Sequence, residues 1–159
     1  MTNFLIARLA KLVGGWKETT QVKALVLRLD DQAMMGKTVF AGAPLPDTLI
    51  AGKLPPGIKS AWAFVQRPKV IGPAHKHPNS IQHMALIAGT GMSHIGKKSE
   101  VLQPFDPAYP EKSIYVIPEN TPHAFESFNE PLVFLSFHTV VAEKLVEVDI
   151  ATGTRSTYL

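Results

Sequence analysis

From Pro44 onwards, proline and glycine divide the chain into short runs in which apolar and polar positions alternate. Seven of these runs have the β-branched and aromatic content of strands, namely 48–54, 60–66, 81–88, 92–95, 113–117, 123–128 and 132–141. Helices of ordinary length do not fit between the interruptions. Short strands at nearly even spacing predict an all-β fold, either a sandwich or a barrel.

The N-terminal segment has a different pattern. Residues 1–15 predict a short amphipathic helix that begins at Thr2 or Asn3 and ends at the glycine pair Gly14 and Gly15. Its apolar side carries Leu5, Leu9, Leu12 and Val13. We expect this side to dock on the domain or on a partner subunit. Segment 22–29 fits the helical and the strand period equally well, so its structure stays open.

Composition narrows the choice of protein class. The chain has 159 residues, 45% of them hydrophobic, which predicts one domain over 1–159 with a barrel core at 48–141. The net charge of +3 is not clustered, and the longest basic run is Lys97-Lys98, so the sequence predicts no nucleic-acid partner. No run approaches the roughly 20 apolar residues of a membrane span. Arg8 and Lys11 interrupt the apolar N-terminus, which argues against a signal peptide and favours a cytoplasmic protein.

The chain contains no cysteine, so a metal ligand would have to be histidine, carboxylate or amide. His75 and His77 are two residues apart, and in an extended segment such residues point to the same side. Two convergent imidazoles suit a borderline metal, although an exposed His-x-His pair is also common on surfaces. Strand alternation places Gln82 on an apolar inner face, and the turn at 118–122 delivers a third imidazole, His123.

Two spaced motifs in this order resemble those of the cupins. The first consists of His75-x-His77, four residues, Gln82, six residues and Gly89, with Gln82 where cupins have glutamate. The second is Pro118-x-Asn120-x-x-His123. The resemblance extends over roughly 49–138. It implies a double-stranded β-helix, or jelly-roll barrel, with a mononuclear metal near one mouth and often a homodimeric assembly.

Carried over residue by residue, the resemblance implies that His75, His77 and His123 are metal ligands and that Gln82 takes the place of the acidic ligand. A glutamine offers a neutral carbonyl, so a divalent metal would keep its full charge of +2. Lys69 and Lys112 stand where the cupin motifs usually have glycine, which predicts altered turns at both positions. Asn120 also replaces glycine, but asparagine tolerates left-handed geometry.

This ligand set is similar to that of the three-histidine branch of cupins. The resemblance therefore implies an iron dioxygenase for a small chelating anion such as a diketone, a hydroxy-aromatic acid or a thiol. Fe(II) is the expected cofactor, with zinc, manganese and nickel as alternatives. Two other functions stay open: a redox-neutral metal-dependent lyase, isomerase or decarboxylase, and a non-catalytic cupin that binds a small ligand with an eroded metal site.

Further side chains are candidates for the surroundings of this site. Strand alternation predicts a substrate pocket lined by Trp62, Phe64, Met84, Phe125 and Phe134, although aromatic residues on strands usually belong to a core. On the last strand, His138 is either a neighbour of the ligands or a buried, hydrogen-bonded histidine. His83 points to the face opposite Gln82, which predicts a surface or subunit-interface position. For His94 the alternation predicts exposure.

Overall fold

The computed structural model describes residues 3–159, and Thr2, one of the two predicted helix starts, lies outside them. Two long helices come first, α1 (Phe4–Trp16) and α2 (Thr20–Met35), and two one-turn helices follow later, α3 (Asp47–Ile50) and α4 (Pro110–Ser113). The strands are β1 (Phe40–Pro44), β2 (Ser60–Gln66), β3 (His75–Lys76), β4 (Gln82–Ala88), β5 (Gly91–Ile95), β6 (Lys98–Val101), β7 (Ile114–Ile117), β8 (His123–Ser127), β9 (Leu132–His138), β10 (Val146–Asp149) and β11 (Arg155–Thr157).

The strands form two antiparallel sheets. The five-stranded sheet has the order β1-β2-β9-β4-β7, and the six-stranded sheet has the order β11-β10-β3-β8-β5-β6. The sheets share an apolar cluster that includes Leu86 and Phe134 of the first sheet and Phe125 of the second. They are not joined into one closed barrel, but the arrangement is that of a jelly roll. This confirms the predicted all-β fold with an N-terminal helix.

The five-stranded sheet is buried on both faces. On its central strand β9, Val133, Leu135 and Phe137 belong to a cluster that includes α1 and α2, whereas Leu132 and Phe134 belong to the cluster between the sheets. Successive residues of a strand point to opposite faces, so one strand serves both layers. The fold is therefore three-layered, with the two helices packed on the outer face of the five-stranded sheet.

Helix α1 begins at Asn3, whose side chain accepts a hydrogen bond from the backbone N–H of Leu5. The prediction that Gly14 and Gly15 end the helix was wrong. The helix continues to Trp16, which is buried and stacks on Phe137 at a ring-centroid distance of 6.0 Å. Burial of this large side chain outweighs the low helix propensity of two glycines, each of which costs about 1 kcal/mol relative to alanine.

Helix α2 resolves the open interpretation of segment 22–29. Its buried residues are Val22, Leu25, Leu29 and Ala33, which have the spacing of one helix face. Thr19 begins the helix, because its hydroxyl accepts a hydrogen bond from the backbone N–H of Val22. No helix within residues 3–159 is long and apolar enough to cross a membrane.

Segment 48–54 is not the strand that its composition predicted. It contains most of α3, followed by turns through Gly52, which has a φ of 69°. Pro46 precedes this helix with a fixed φ, and Asp47 in the first turn favours helix initiation. The single helical turn buries Leu49 in the cluster formed with α1 and α2.

Candidate metal centre

Three histidine rings converge between the six-stranded sheet and the cavity. His75 on β3 lies directly opposite His123 on β8, and His77 follows two residues after His75. The ring centroids of His75 and His123 are 4.3 Å apart, and those of His77 and His123 are 5.4 Å apart. One ligand nitrogen from each of the three rings lies within 4.8 Å of the other two. Their spacing suits a single metal ion.

Hydrogen bonds fix which nitrogen of each ring is free. His77 Nδ1–H donates to the Val146 carbonyl at 2.8 Å, and His123 Nδ1–H donates to the Thr121 carbonyl at 2.9 Å. His75 Nδ1 has the same kind of partner, the Pro73 carbonyl, at 3.2 Å. Because a carbonyl only accepts, each Nδ1 carries the proton and each Nε2 keeps its lone pair. Backbone partners of this kind are the usual supports of metal-bound imidazoles.

Burial keeps two of these imidazoles, His77 and His123, neutral. It lowers the pKa of His77 to about 4, and it holds the pKa of His123 well below its usual range, with a further contribution from His75. Neutral imidazole is the form that binds metals. The ring nitrogens of His77 and His123 therefore need no deprotonation at neutral pH before a cation can bind.

The most informative atom is Nε2 of His123. It is buried and has no hydrogen-bond partner among the residues that the structure describes. A buried polar atom without a partner costs free energy, so such atoms are rare in native proteins. A cation would satisfy this lone pair. Three neutral imidazoles fit a divalent transition metal such as iron, zinc or nickel.

Gln82 extends into the same cavity from β4. Its Nε2 donates to the hydroxyl of Ser136 at 2.9 Å, whereas its Oε1 is buried and without a partner in the described part of the chain. The amide is thus held by its nitrogen end, and its oxygen is left as a free acceptor. This oxygen can contact a ligand atom or a cation.

His138 stands behind Gln82 and completes a chain of hydrogen bonds. Its Nε2 lies 3.3 Å from the Ser136 hydroxyl, and its Nδ1 lies 2.9 Å from the Ser80 hydroxyl. The Ser80 hydroxyl donates to the Ile81 carbonyl and accepts from the backbone N–H of Thr139, so it also accepts from His138. His138 therefore carries its proton on Nδ1, and Ser136 donates to His138 while accepting from the amide. This chain dictates the direction of the Gln82 amide.

With both nitrogens engaged, His138 does not join the three convergent rings. Burial, followed by the proximity of His77, holds the pKa of His138 well below its usual range. Of the two interpretations left open by the sequence, a buried, hydrogen-bonded histidine next to the ligands describes it best.

The cavity in front of the rings is small and mostly apolar. It has room for about three water molecules. The predicted pocket residues Phe64, Met84, Phe125 and Phe134 all line it. Trp62 lies behind this wall, where it stacks on Phe64 at 5.8 Å and is fully buried. His138 likewise lies behind the wall and not in it.

Comparisons with known proteins identify the architecture. An oxalate oxidase in complex with the substrate analogue glycolate aligns with a TM-score of 0.54 and 15% identity over 73% of this chain and 57% of its own. The oxalate decarboxylase of Lactobacillus farciminis, in a formate complex, aligns with a TM-score of 0.53 and 15% identity over 70% of this chain and 31% of its own. These are cupin-fold proteins. The chain has the cupin fold.

The likeness is one of fold and not of close sequence relationship. No protein family profile matches the sequence, and no curated protein matches it. The chain spans between 31% and 57% of the length of these two solved cupins. The chemistry of this cupin-fold chain therefore depends on its own residues.

Two residues in the turns before His75 and His123 are left-handed without being glycine. Lys69 and Asn120 have positive φ values of 59° and 58°. Lys69 adopts this conformation although it costs roughly 1–2 kcal/mol for most residues, and the altered turn at this position stays a prediction. Asn120 N–H donates to the His77 carbonyl at 3.0 Å, which ties the turn before His123 to the end of β3. Lys112 lies in α4.

Sequence reasoning missed two residues of the site, Glu147 and Tyr158. Tyr158 lines the cavity, and its hydroxyl donates to Glu147 Oε2. Glu147 Oε2 lies 3.9 Å from His75 Nε2. Burial and the Glu147 charge hold the pKa of the Tyr158 hydroxyl well above its usual range. The sequence did carry a signal for this strand, because apolar and acidic residues alternate from Val146 to Asp149.

His83 is only 5% exposed, so the predicted surface position was wrong. It points to the outer face of the five-stranded sheet, where the helices exclude water, and burial lowers its pKa. The strand parity was correct, but the helical layer over that face was not anticipated. His94 is half-exposed, in line with the predicted exposure. Its Nε2 lies 3.6 Å from Glu126 Oε2.

Proposed function

We propose that this cupin is a metal-dependent enzyme in which His75, His77 and His123 hold one divalent transition metal. The observation that carries the proposal is the buried, unpartnered Nε2 of His123, toward which two further imidazoles converge. The free Oε1 of Gln82 is a fourth, neutral donor on the cavity side. Four neutral donors leave positions open for a substrate.

We further propose that the metal is Fe(II) and that the reaction is a dioxygenation. A bound Fe(II) ion would supply Lewis acidity and the redox capacity to activate dioxygen. The apolar wall of Phe64, Phe125 and Phe134 excludes bulk water from the cavity and can admit an apolar gas molecule.

The substrate is a small chelating anion. The neutral donor set does not offset the metal charge, so an enolate, a carboxylate or a thiolate is favoured over a neutral ligand. The small cavity volume limits the substrate to a compact molecule. Diketones, hydroxy-aromatic acids and thiols all offer such an anionic group, and the small cavity favours the most compact members of these classes.

One observation favours a second candidate, a redox-neutral lyase, isomerase or decarboxylase. The Tyr158 hydroxyl lies at the cavity wall and is held by the Glu147 carboxylate. The phenol oxygen in such a pair can accept a proton from a substrate while its own proton passes to the carboxylate, which becomes the neutral acid. Proton transfer of this kind needs no dioxygen.

Two measurements test these functions. Elemental analysis of the purified protein should find close to one equivalent of a transition metal, and less than a tenth of an equivalent with no uptake on titration would overturn the proposal. The iron-loaded protein should consume dioxygen when a diketone, a hydroxy-aromatic acid or a thiol is added. The variant His94→Ala leaves the three rings intact and should consume dioxygen at the same rate. Turnover under strict anaerobiosis would replace the dioxygenase by the redox-neutral candidate.

The single-domain organisation, the homodimer and the cytoplasmic location remain predictions from the sequence. Light scattering on the purified protein tests the second of these, with an expected mass of twice 17.4 kDa.

A further inference from the structure

Imidazole and amide groups bind a metal in their neutral form, so the three histidines and Gln82 would not offset the charge of a divalent ion. The cavity that they face is mostly apolar, with Phe64, Met84 and Phe134 in its wall. An uncompensated charge in such surroundings is costly. A site of this kind is therefore expected to have a negative charge close by.

Glu147 is in the position to provide this charge. Strand β10 pairs with β3 so that Asp149 lies opposite His75, and Glu147, two residues before Asp149, points to the same side as His75. Its Oε2 lies 3.9 Å from His75 Nε2, and its side chain is only 16% exposed. The carboxylate thus faces the nitrogen lone pair that a metal would use.

Tyr158 holds this carboxylate in place. Its hydroxyl donates to Glu147 Oε2, and its ring packs on Trp62 at 5.4 Å and on Phe64 at 5.5 Å. These contacts of Tyr158 fix the position of the Glu147 carboxylate at the edge of the cavity.

Other carboxylates on neighbouring strands are engaged elsewhere. Asp149 accepts hydrogen bonds from the backbone N–H and the hydroxyl of Thr152 in its own turn. Glu126 on β8 pairs with His94. Within residues 3–159, Glu147 is the only carboxylate within 4.0 Å of a ring nitrogen of His75, His77 or His123.

We propose that Glu147 is the anionic residue of the metal site, supplying from the C-terminal strand the negative charge that Gln82 does not provide. The inference rests on the proposed metal site and deepens it. The negative charge of the site then lies on β10, next to His75, and not at residue 82 on β4.

The test is the affinity of the metal-free protein for Co²⁺, measured by calorimetry. Glu147→Gln should weaken binding at least tenfold, because it removes the charge and keeps the shape and the hydrogen bond from Tyr158. Glu126→Gln is the matched control, since it changes the same residue type in another Glu–His pair, and it should leave the affinity unchanged. Thermal unfolding verifies that each variant is folded.

A second variant separates charge from local structure. Adding Gln82→Glu to Glu147→Gln returns a carboxylate to the cavity at a different place, and the double variant should recover at least most of the lost affinity. An affinity of Glu147→Gln within twofold of the unchanged protein, which itself binds Co²⁺, would overturn this inference alone. If the unchanged protein binds no Co²⁺ or other transition metal, the proposed function fails together with it.

Discussion

The two faces of the five-stranded sheet use the same strands for different purposes. On β9 the outward residues Val133, Leu135 and Phe137 are all apolar and packed under the helices. The inward residues begin apolar, with Leu132 and Phe134, and end polar, with Ser136 and His138. The outer face is thus uniform along its length, whereas the inner face changes character towards the cavity.

The outer face therefore contributes to the stability of the fold, and the polar end of the inner face contributes to the chemistry of the cavity. Residues of the outer face contribute by burial of apolar surface, and their contacts need no particular direction. The polar residues of the inner face are linked by directed hydrogen bonds from Ser80 through His138 and Ser136 to Gln82, with one acceptor left over. We therefore expect substitutions on the two faces to change different measured quantities.

The largest effect is expected on the outer face. Trp16→Ala should lower the free energy of unfolding by about 3–5 kcal/mol, because a large buried side chain is replaced by a cavity. Its affinity for Co²⁺ should stay within about threefold of the unchanged protein. Urea denaturation and calorimetry measure the two quantities. Phe4→Ala on the same helix is the control, since Phe4 is 74% exposed and should cost little. A large loss of metal affinity in Trp16→Ala would break the separation.

The buried histidines around the cavity should control the pH dependence of the metal-free protein. His77 has a pKa of about 4 when folded, below its ordinary value of 6.5, so the unfolded chain binds the proton first as the pH falls. The contribution of His77 to the free energy of unfolding should be complete above pH 6.5 and should fall by about 3 kcal/mol as the pH drops to 4. Urea denaturation at several pH values measures this. In His77→Gln the free energy of unfolding should change less steeply with pH. An unchanged pH dependence would contradict the lowered pKa of His77.

The sequence predicted the elements whose signals are local. Strands β2, β4, β5, β7, β8 and β9 follow from alternation and from the prolines between them, whereas β3 and β6 were not predicted. The convergence of His75, His77 and His123 follows from the resemblance of two spaced motifs to those of the cupins. The burial of His83 depends on a helical layer packed from another part of the chain. Glu147 reaches the site only because β10 pairs with the two-residue strand β3, and nothing within β10 indicates its partner.

Removal of one convergent imidazole should affect binding more than stability. His123→Ala should weaken Co²⁺ binding at least a hundredfold, about 2.7 kcal/mol, because the buried Nε2 is the lone pair best placed for a cation. Its matched control is His94→Ala on the adjacent strand β5, which should bind Co²⁺ like the unchanged protein. Calorimetry on the metal-free variants decides. Equal affinities of the two variants would mean that the three rings do not form a metal site.

The smallest effect is expected for Gln82→Glu in the otherwise unchanged protein. A carboxylate adds a charged oxygen to the cavity, which favours tighter metal binding. However, the Ser136 hydroxyl would then have to donate to residue 82, so His138 would carry its proton on Nε2 and Ser80 would donate to Nδ1. The hydrogen bond from Ser80 to the Ile81 carbonyl, at 3.1 Å, would be lost, which costs about 1 kcal/mol.

This reversal and the charge already supplied by Glu147 both reduce the gain. We expect Co²⁺ affinity to rise only about threefold, against about tenfold when the same substitution is made in the Glu147→Gln background. Ser136→Ala combined with Gln82→Glu removes the link to His138 and isolates the effect of charge. A tenfold or larger gain in the otherwise unchanged protein would mean that Glu147 contributes little charge, whereas weaker binding would mean that residue 82 does not face the cation.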